Sequence, residues 1–195
     1  ENGYGTYDSE SDGSRYEGQF EDGYKHGRGV LIFPDGGGTF EGEFVEGIIS
    51  GTGTRTWPEG IGSGRARYEG GWRDGLPHGR GTCVYHDGRR FVGEWAKNWQ
   101  EGLGIMTFGD GATDTGQWSQ GRMHGRGVCA FADGSKYEGE FREGKPHGEG
   151  SRVFAEDDEP AEAQADRPTE PPEGPWTQMT AFSAPIVPNA SPVTA

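Results

Sequence analysis

The sequence predicts an all-β fold: a single-layer antiparallel array of β-hairpins, followed by an extended, irregular C-terminal tail. Three observations predict it. Segments of similar sequence recur six times at nearly constant spacing, starting at Tyr16, Phe40, Tyr68, Phe91, Asp114 and Tyr137. A fixed period of this size is the signature of a repeat array. Within each segment aromatic and glycine residues alternate with polar ones, which is the two-residue period of a strand. The segments are punctuated by turn dipeptides: Asp35-Gly36, Glu59-Gly60, Asp87-Gly88, Asp110-Gly111 and Asp133-Gly134.

Five columns hold without exception. Counting each starting residue as offset zero, offset two is Gly18, Gly42, Gly70, Gly93, Gly116 and Gly139. Offset eleven is Gly27, Gly51, Gly79, Gly102, Gly125 and Gly148, and offset thirteen is Gly29, Gly53, Gly81, Gly104, Gly127 and Gly150. Offset four is aromatic (Phe20, Phe44, Trp72, Trp95, Trp118, Phe141), as is offset seventeen (Phe33, Trp57, Tyr85, Phe108, Phe131, Phe154). In the first strand of each unit, offsets zero, two and four share one face, while Glu17 and Gln19 point to the other. Glycine inside a strand marks the close approach of another group. Here the glycines lie on the aromatic face, so rings are expected to lie across them. The second strand is expected to start at the offset-eleven glycine and run to the offset-seventeen ring. Two strands per unit at ~4.8 Å advance the sheet by about 9.6 Å, and six units by roughly 58 Å.

The units are 16–39, 40–67, 68–90, 91–113, 114–136 and 137–154, and 1–15 reads as a preceding half-unit in which Gly3, Gly5 and Asp12-Gly13 stand for a second strand and its turn. Three units depart from the pattern. The fourth carries Asn98-Trp99-Gln100-Glu101 where others have Gly-x-x-His, and the fifth begins with Asp114 instead of a ring. The second holds an insertion around Gly60–Arg65. Neutral drift or a contact would each account for such departures.

The pattern Tyr-Glu-Gly-Glu-Phe at 137–141, followed by His-Gly-Glu-Gly at 147–150, resembles the MORN repeat (membrane occupation and recognition nexus). The resemblance covers residues 16 to 154. It implies a β-hairpin array used for protein–protein contacts, self-association and the organisation of cytoskeletal, ciliary or membrane-junction structures. It implies no particular reaction.

Composition bounds the function. Apolar residues make up 30% of the chain, and glycine contributes 38 residues. A single sheet buries less than a two-layer domain, so stability is expected from aromatic stacking between units. The formal charge is −14. No basic stripe of the kind that nucleic acid requires is present. Nor is there a basic cluster for anionic lipid. Nucleic acid is therefore excluded as a partner, and membrane binding is not expected. Residues 155–195 hold eight of the twelve prolines and eight acidic side chains against Arg167 alone, a disorder signature. Cys83 and Cys129 share offset fifteen two units apart, about 19 Å by strand spacing, beyond the ~7 Å that a disulfide spans. They are expected as free thiols in a reducing, cytoplasmic compartment.

Four histidines, His26, His78, His124 and His147, share offset ten. Neighbours in this column would lie about 9.6 Å apart at closest, too far for a common zinc ion. A role at the hairpin loop is expected instead, with no metal and no cofactor. His-Gly-Arg-Gly contains G-x-G only through the repeat and lacks the Lys-Ser/Thr of a phosphate loop. No Ser or Cys nucleophile has a recognisable flank. The repeat is appended in some proteins to a lysine methyltransferase or a phosphoinositide kinase, but the 41-residue tail is too short for either domain. No enzyme is expected.

The expectation is thus a non-enzymatic scaffold, through its resemblance to axonemal MORN proteins placed in a cilium or flagellum. A membrane-junction or cortical scaffold is the alternative, and a regulatory piece of a larger enzyme is a third reading. The expected contact surface is an aromatic groove lined by Trp57, Trp72, Tyr85, Trp95, Phe108, Trp118 and Phe131, centred on units three to five. An amphipathic helix or an extended segment would fill it, or the tail's own stretch around Trp176 and Phe182.

Overall fold

The structure is a computed structural model that describes residues 2–61 and 63–155. Expectations about the tail, including those for Trp176 and Phe182, lie outside the described residues. Thirteen strands follow one another: β1 (Gly3–Asp8), β2 (Arg15–Glu21), β3 (Tyr24–Ile32), β4 (Thr39–Val45), β5 (Ile48–Thr56), β6 (Arg65–Arg73) and β7 (Leu76–Tyr85). Then come β8 (Arg90–Ala96), β9 (Trp99–Thr107), β10 (Thr113–Ser119), β11 (Arg122–Ala130), β12 (Lys136–Arg142) and β13 (Lys145–Val153). They form one open antiparallel sheet in strict chain order. The expected fold class is therefore what the chain adopts, and β1 is the half-unit ahead of the first hairpin.

The glycine columns become a single row. Gly5, Gly18, Gly29, Gly42, Gly53, Gly70, Gly81, Gly93, Gly104, Gly116, Gly127, Gly139 and Gly150 pair successively, one per strand. The reason lies on one face. A Cβ on Gly53 would run into the Phe40 ring, on Gly81 into Tyr68, and on Gly104 into Phe91. The rings across the glycines are thus the offset-zero rings. Tyr16, Phe40, Tyr68 and Phe91 are fully buried there.

The rings do not stack in parallel. Tyr16, Phe40, Tyr68 and Phe91 each meet two offset-four rings edge-on. Phe40 contacts Phe44 at 5.3 Å and Trp72 at 5.2 Å; Tyr68 contacts Trp72 and Trp95 at 5.1 Å; Phe91 contacts Trp95 at 5.3 Å and Trp118 at 5.2 Å. Edge-to-face contact suits the aromatic quadrupole, positive at the rim and negative on the face. Phe44, Trp72 and Trp95 each touch the offset-zero rings of two successive units, so the ladder is continuous along this stretch of the sheet.

The hairpins differ from expectation at their loops. The second strands begin three residues ahead of the offset-eleven glycine, because the reversal is a tight two-residue turn at offsets six and seven. Both residues take positive φ, as in Asp22 (50°) and Gly23 (84°), which matches the strand twist. The fourth unit uses Lys97-Asn98 here, Asn98 at φ 76°, and asparagine tolerates that conformation better than other side-chain-bearing residues. The Asn98 amide also makes the inter-unit bond that the turn glycines make, donating to the Pro77 carbonyl at 3.0 Å. Gly27 and its column sit inside the second strand at a bulge, with positive φ throughout.

The missing ring of the fifth unit is also compensated. The Met123 methyl occupies the space over Gly127 that a ring fills elsewhere, and Met123 is 3% exposed. An unbranched thioether fills such an irregular gap readily.

Candidate protein-interaction site

The ring face is largely consumed by the fold. Trp72, Trp95 and Trp118 are 6%, 2% and 6% exposed, and their indole N–H groups donate to the carbonyls of Gly53, Gly81 and Gly104 at 3.0, 3.2 and 3.1 Å. These three expected contact residues are core anchors. Trp57, Tyr85 and Phe108 pack half-buried against that core, and Phe131 is 44% exposed. The expected residues therefore lie on one side of the sheet, but their tryptophans offer little surface to a partner.

Around Tyr85 the face is polar and closed. Gln100 donates to the Tyr85 hydroxyl at 2.8 Å, and Arg65 donates to the Asn98 side chain and carbonyl at 2.5 and 2.9 Å. Burial pushes the Tyr85 hydroxyl up to about 12. The cysteines are free thiols. Burial raises Cys83 to about 11, and burial followed by the neighbouring Asp114 raises Cys129 to about 12. Neither thiol is activated for chemistry.

The histidine column is not at the hairpin loop. It lies within the second strands next to the bulge, where His26 contacts Glu21 at 3.1 Å. Among the described residues no group of three metal-ligating side chains occurs.

The opposite face carries a surface that the column analysis did not single out. One cross-sheet row runs Thr6, Glu17, Val30, Glu41, Thr54, Glu69, Thr82, Val92, Ile105, Thr115, Val128, Glu138 and Ser151. Its carboxylates belong to units one to three and six. Between them Val92, Ile105 and Val128 form an aliphatic stretch, flanked by Val84 and Leu103. These five side chains are half-buried, and among the described residues no second layer covers them. The signal was present in the sequence: offset one changes from Glu to Val92 and Thr115 in units four and five. The invariant columns mark the other face, whereas this one is carried by variable positions.

A second unread feature is offset three. Gln19, Glu43 and Gln117 accept hydrogen bonds from the bulge amides of Arg28, Thr52 and Arg126 at 2.7, 2.5 and 3.2 Å. The side-chain oxygens of Gln19, Glu43, Glu94, Gln117 and Glu140 occupy the position that a Cβ on the bulge glycine would take. The third unit has Gly71 at offset three, and the space beside its bulge glycine Gly79 is open. Column and counter-column explain each other.

The fold and both faces can be set beside known families. A scan against family profiles matches the MORN repeat at residues 16–38, 40–61, 68–89, 91–113, 115–136 and 137–159. A search of curated proteins finds no significant match. Arrays of this family act as protein-interaction or membrane-binding scaffolds and are generally non-catalytic. With six matched repeats over more than half of its length, all laid out in one continuous sheet, this chain belongs to the MORN-repeat family.

Proposed function

We infer that the chain is a non-enzymatic scaffold whose contacts are with other proteins, made through the face opposite the rings. The observation that carries this reading is the uncovered aliphatic stretch of Val84, Val92, Leu103, Ile105 and Val128, bounded by Glu69 and Glu138. Flat apolar surface with a charged rim is the anatomy of a protein interface. The acidic balance of the chain supports protein over anionic lipid, which recruits through clustered lysine and arginine. An amphipathic helix laid across units three to five suits such a strip.

The assembly in this reading is cytoskeletal, in the axoneme of a cilium or flagellum, an assignment made by analogy with free-standing MORN arrays. The test is affinity purification of the full chain from ciliated cells, beside an Ile105→Glu, Val128→Glu variant. Both positions are half-exposed, so the variant should fold, as circular dichroism would verify. The reading expects axonemal proteins with the parent chain and their loss with the variant. Retention of every partner by a folded variant would move recognition elsewhere. Co-sedimentation of the parent chain with phosphatidylserine vesicles at physiological salt would replace the protein reading with a membrane one.

A further inference from the structure

The ring ladder ends with one rung missing. Tyr16, Phe40, Tyr68 and Phe91 each touch the offset-four ring of their own unit and that of the next. Tyr137 touches Phe141 at 5.4 Å, the ring of its own unit, and no following ring among the described residues. Its strand neighbour β13 is exposed along its whole length and pairs only with β12 among the described residues.

What would complete this edge follows from the five junctions between units. At each, the offset-thirteen glycine of one unit pairs with the offset-two glycine of the next, and offset eleven faces the offset-four ring. The bond from Phe33 N–H to the Gly38 carbonyl, one residue outside the Ile32–Thr39 pair, sets the alternation. It makes offsets eleven, thirteen and fifteen the residues that hydrogen-bond across a junction. On β13 these are Gly148, Gly150 and Arg152. Where the incoming offset-four residue is tryptophan, its indole donates to the preceding offset-thirteen carbonyl, in all three cases. The edge therefore calls for an extended segment reading Gly-x-aromatic, with its x residue in a non-hydrogen-bonded position.

The chain's own sequence carries that pattern. Glu173-Gly174-Pro175-Trp176 aligns with Glu69-Gly70-Gly71-Trp72, the first strand of the third unit. We propose that residues 173–176 add to β13 as a terminal cap, Gly174 opposite Gly150 and Trp176 opposite Gly148 beside Tyr137. Pro175 falls at offset three, whose amide points away from β13, so its missing N–H costs no bond to that strand. Proline is tolerated on an edge strand for this reason. Pro172 would fall at offset zero and can donate nothing, so the match begins at Glu173. The stretch 154–172 is longer than the loops between the units, but closure entropy rises only slowly with length. Such a cap closes an open sheet edge, which is otherwise a template for unwanted pairing, and repeat arrays require distinct terminal caps.

The test is amide hydrogen exchange on the full chain, read at Gly148 and Gly150, for the parent and for Trp176→Ala, Gly174→Val and Trp176→Phe. None of the three substitutions falls in the thirteen described strands, and the β12 amides serve as the check that the array is intact. The proposal expects these two β13 amides to exchange at least about tenfold faster in Trp176→Ala and Gly174→Val. Trp176→Phe should keep parental protection, because Phe20, Phe44 and Phe141 serve in the same column. Equal exchange in parent and variants would overturn it. Protection that grows with protein concentration would also overturn it, assigning the edge to a second copy.

Discussion

If the glycine row exists to seat the rings, glycine and ring must be energetically coupled, and Gly104 with Phe91 is the pair in which to measure it. The three atoms nearest a Cβ on Gly104 all belong to the far end of the Phe91 ring. Phe91 is fully buried and held edge-on between Trp95 and Trp118, so it has little room to yield. Gly104→Ala should therefore cost ~1–3 kcal/mol, the usual range for overpacking. Leucine at position 91 lacks the atoms that clash. In a Phe91→Leu background the same Gly104→Ala change should cost under about 0.5 kcal/mol, like an uncrowded substitution. A double-mutant cycle would then return a coupling of about 1–2 kcal/mol, within the range for residues in contact. The assay is urea unfolding, with midpoints compared only where the slope is unchanged. Equal costs in both backgrounds would mean that the glycine is required for a reason other than the ring.

Met123→Ala should destabilise by ~2–5 kcal/mol, the cost of a large-to-small core change, because Met123 replaces a ring; thermal unfolding reads it. Gln117→Ala should cost ~0.5–1.5 kcal/mol by removing the acceptor of the Arg126 amide, measured by the same method. Hydrogen bonding from Ser9 and then Ser14 holds the Asp12 carboxyl down to about 2, and bonds to neighbouring residues lower Asp87, Asp133 and Glu43. Depressed folded values mean that this stability is present above the unfolded range of about 3.9–4.3 and is lost as pH falls toward the folded values. Melting temperature should therefore be flat from neutral pH to about 5 and fall below that. Cys83, fully buried, should react with a thiol reagent at pH 8 only as fast as the array opens; denaturant should accelerate the reaction.

Much of the fold was legible because its constraints act on single residues at fixed offsets. A glycine under a ring and a ring between two units admit few alternatives, so both columns are invariant and the sheet can be read from them. Compensation was less legible. Met123 does for Gly127 what an offset-zero ring does elsewhere, yet it stands nine residues from Asp114, and only the bulge geometry brings offset nine over the glycine row. Asn98 looked like a break in the pattern although its left-handed turn keeps both the hairpin and the inter-unit bond. The contact surface was hardest to place. Aromatic columns suggest exposed anchors, but the edge-on ladder buries Trp95 and Trp118, and the free apolar surface comes from variable positions such as Val92 and Val128.

The division between a closed ring face and an open aliphatic face is the claim on which the functional reading depends. Carbene footprinting of the full chain measures it directly, because label adds to side chains in proportion to their exposure. Modification is expected at Val84, Val92, Leu103, Ile105 and Val128, with Phe91, Trp95 and Trp118 unmodified until the protein unfolds. Strong labelling of those three rings in the folded protein, with the five aliphatic residues protected, would contradict it.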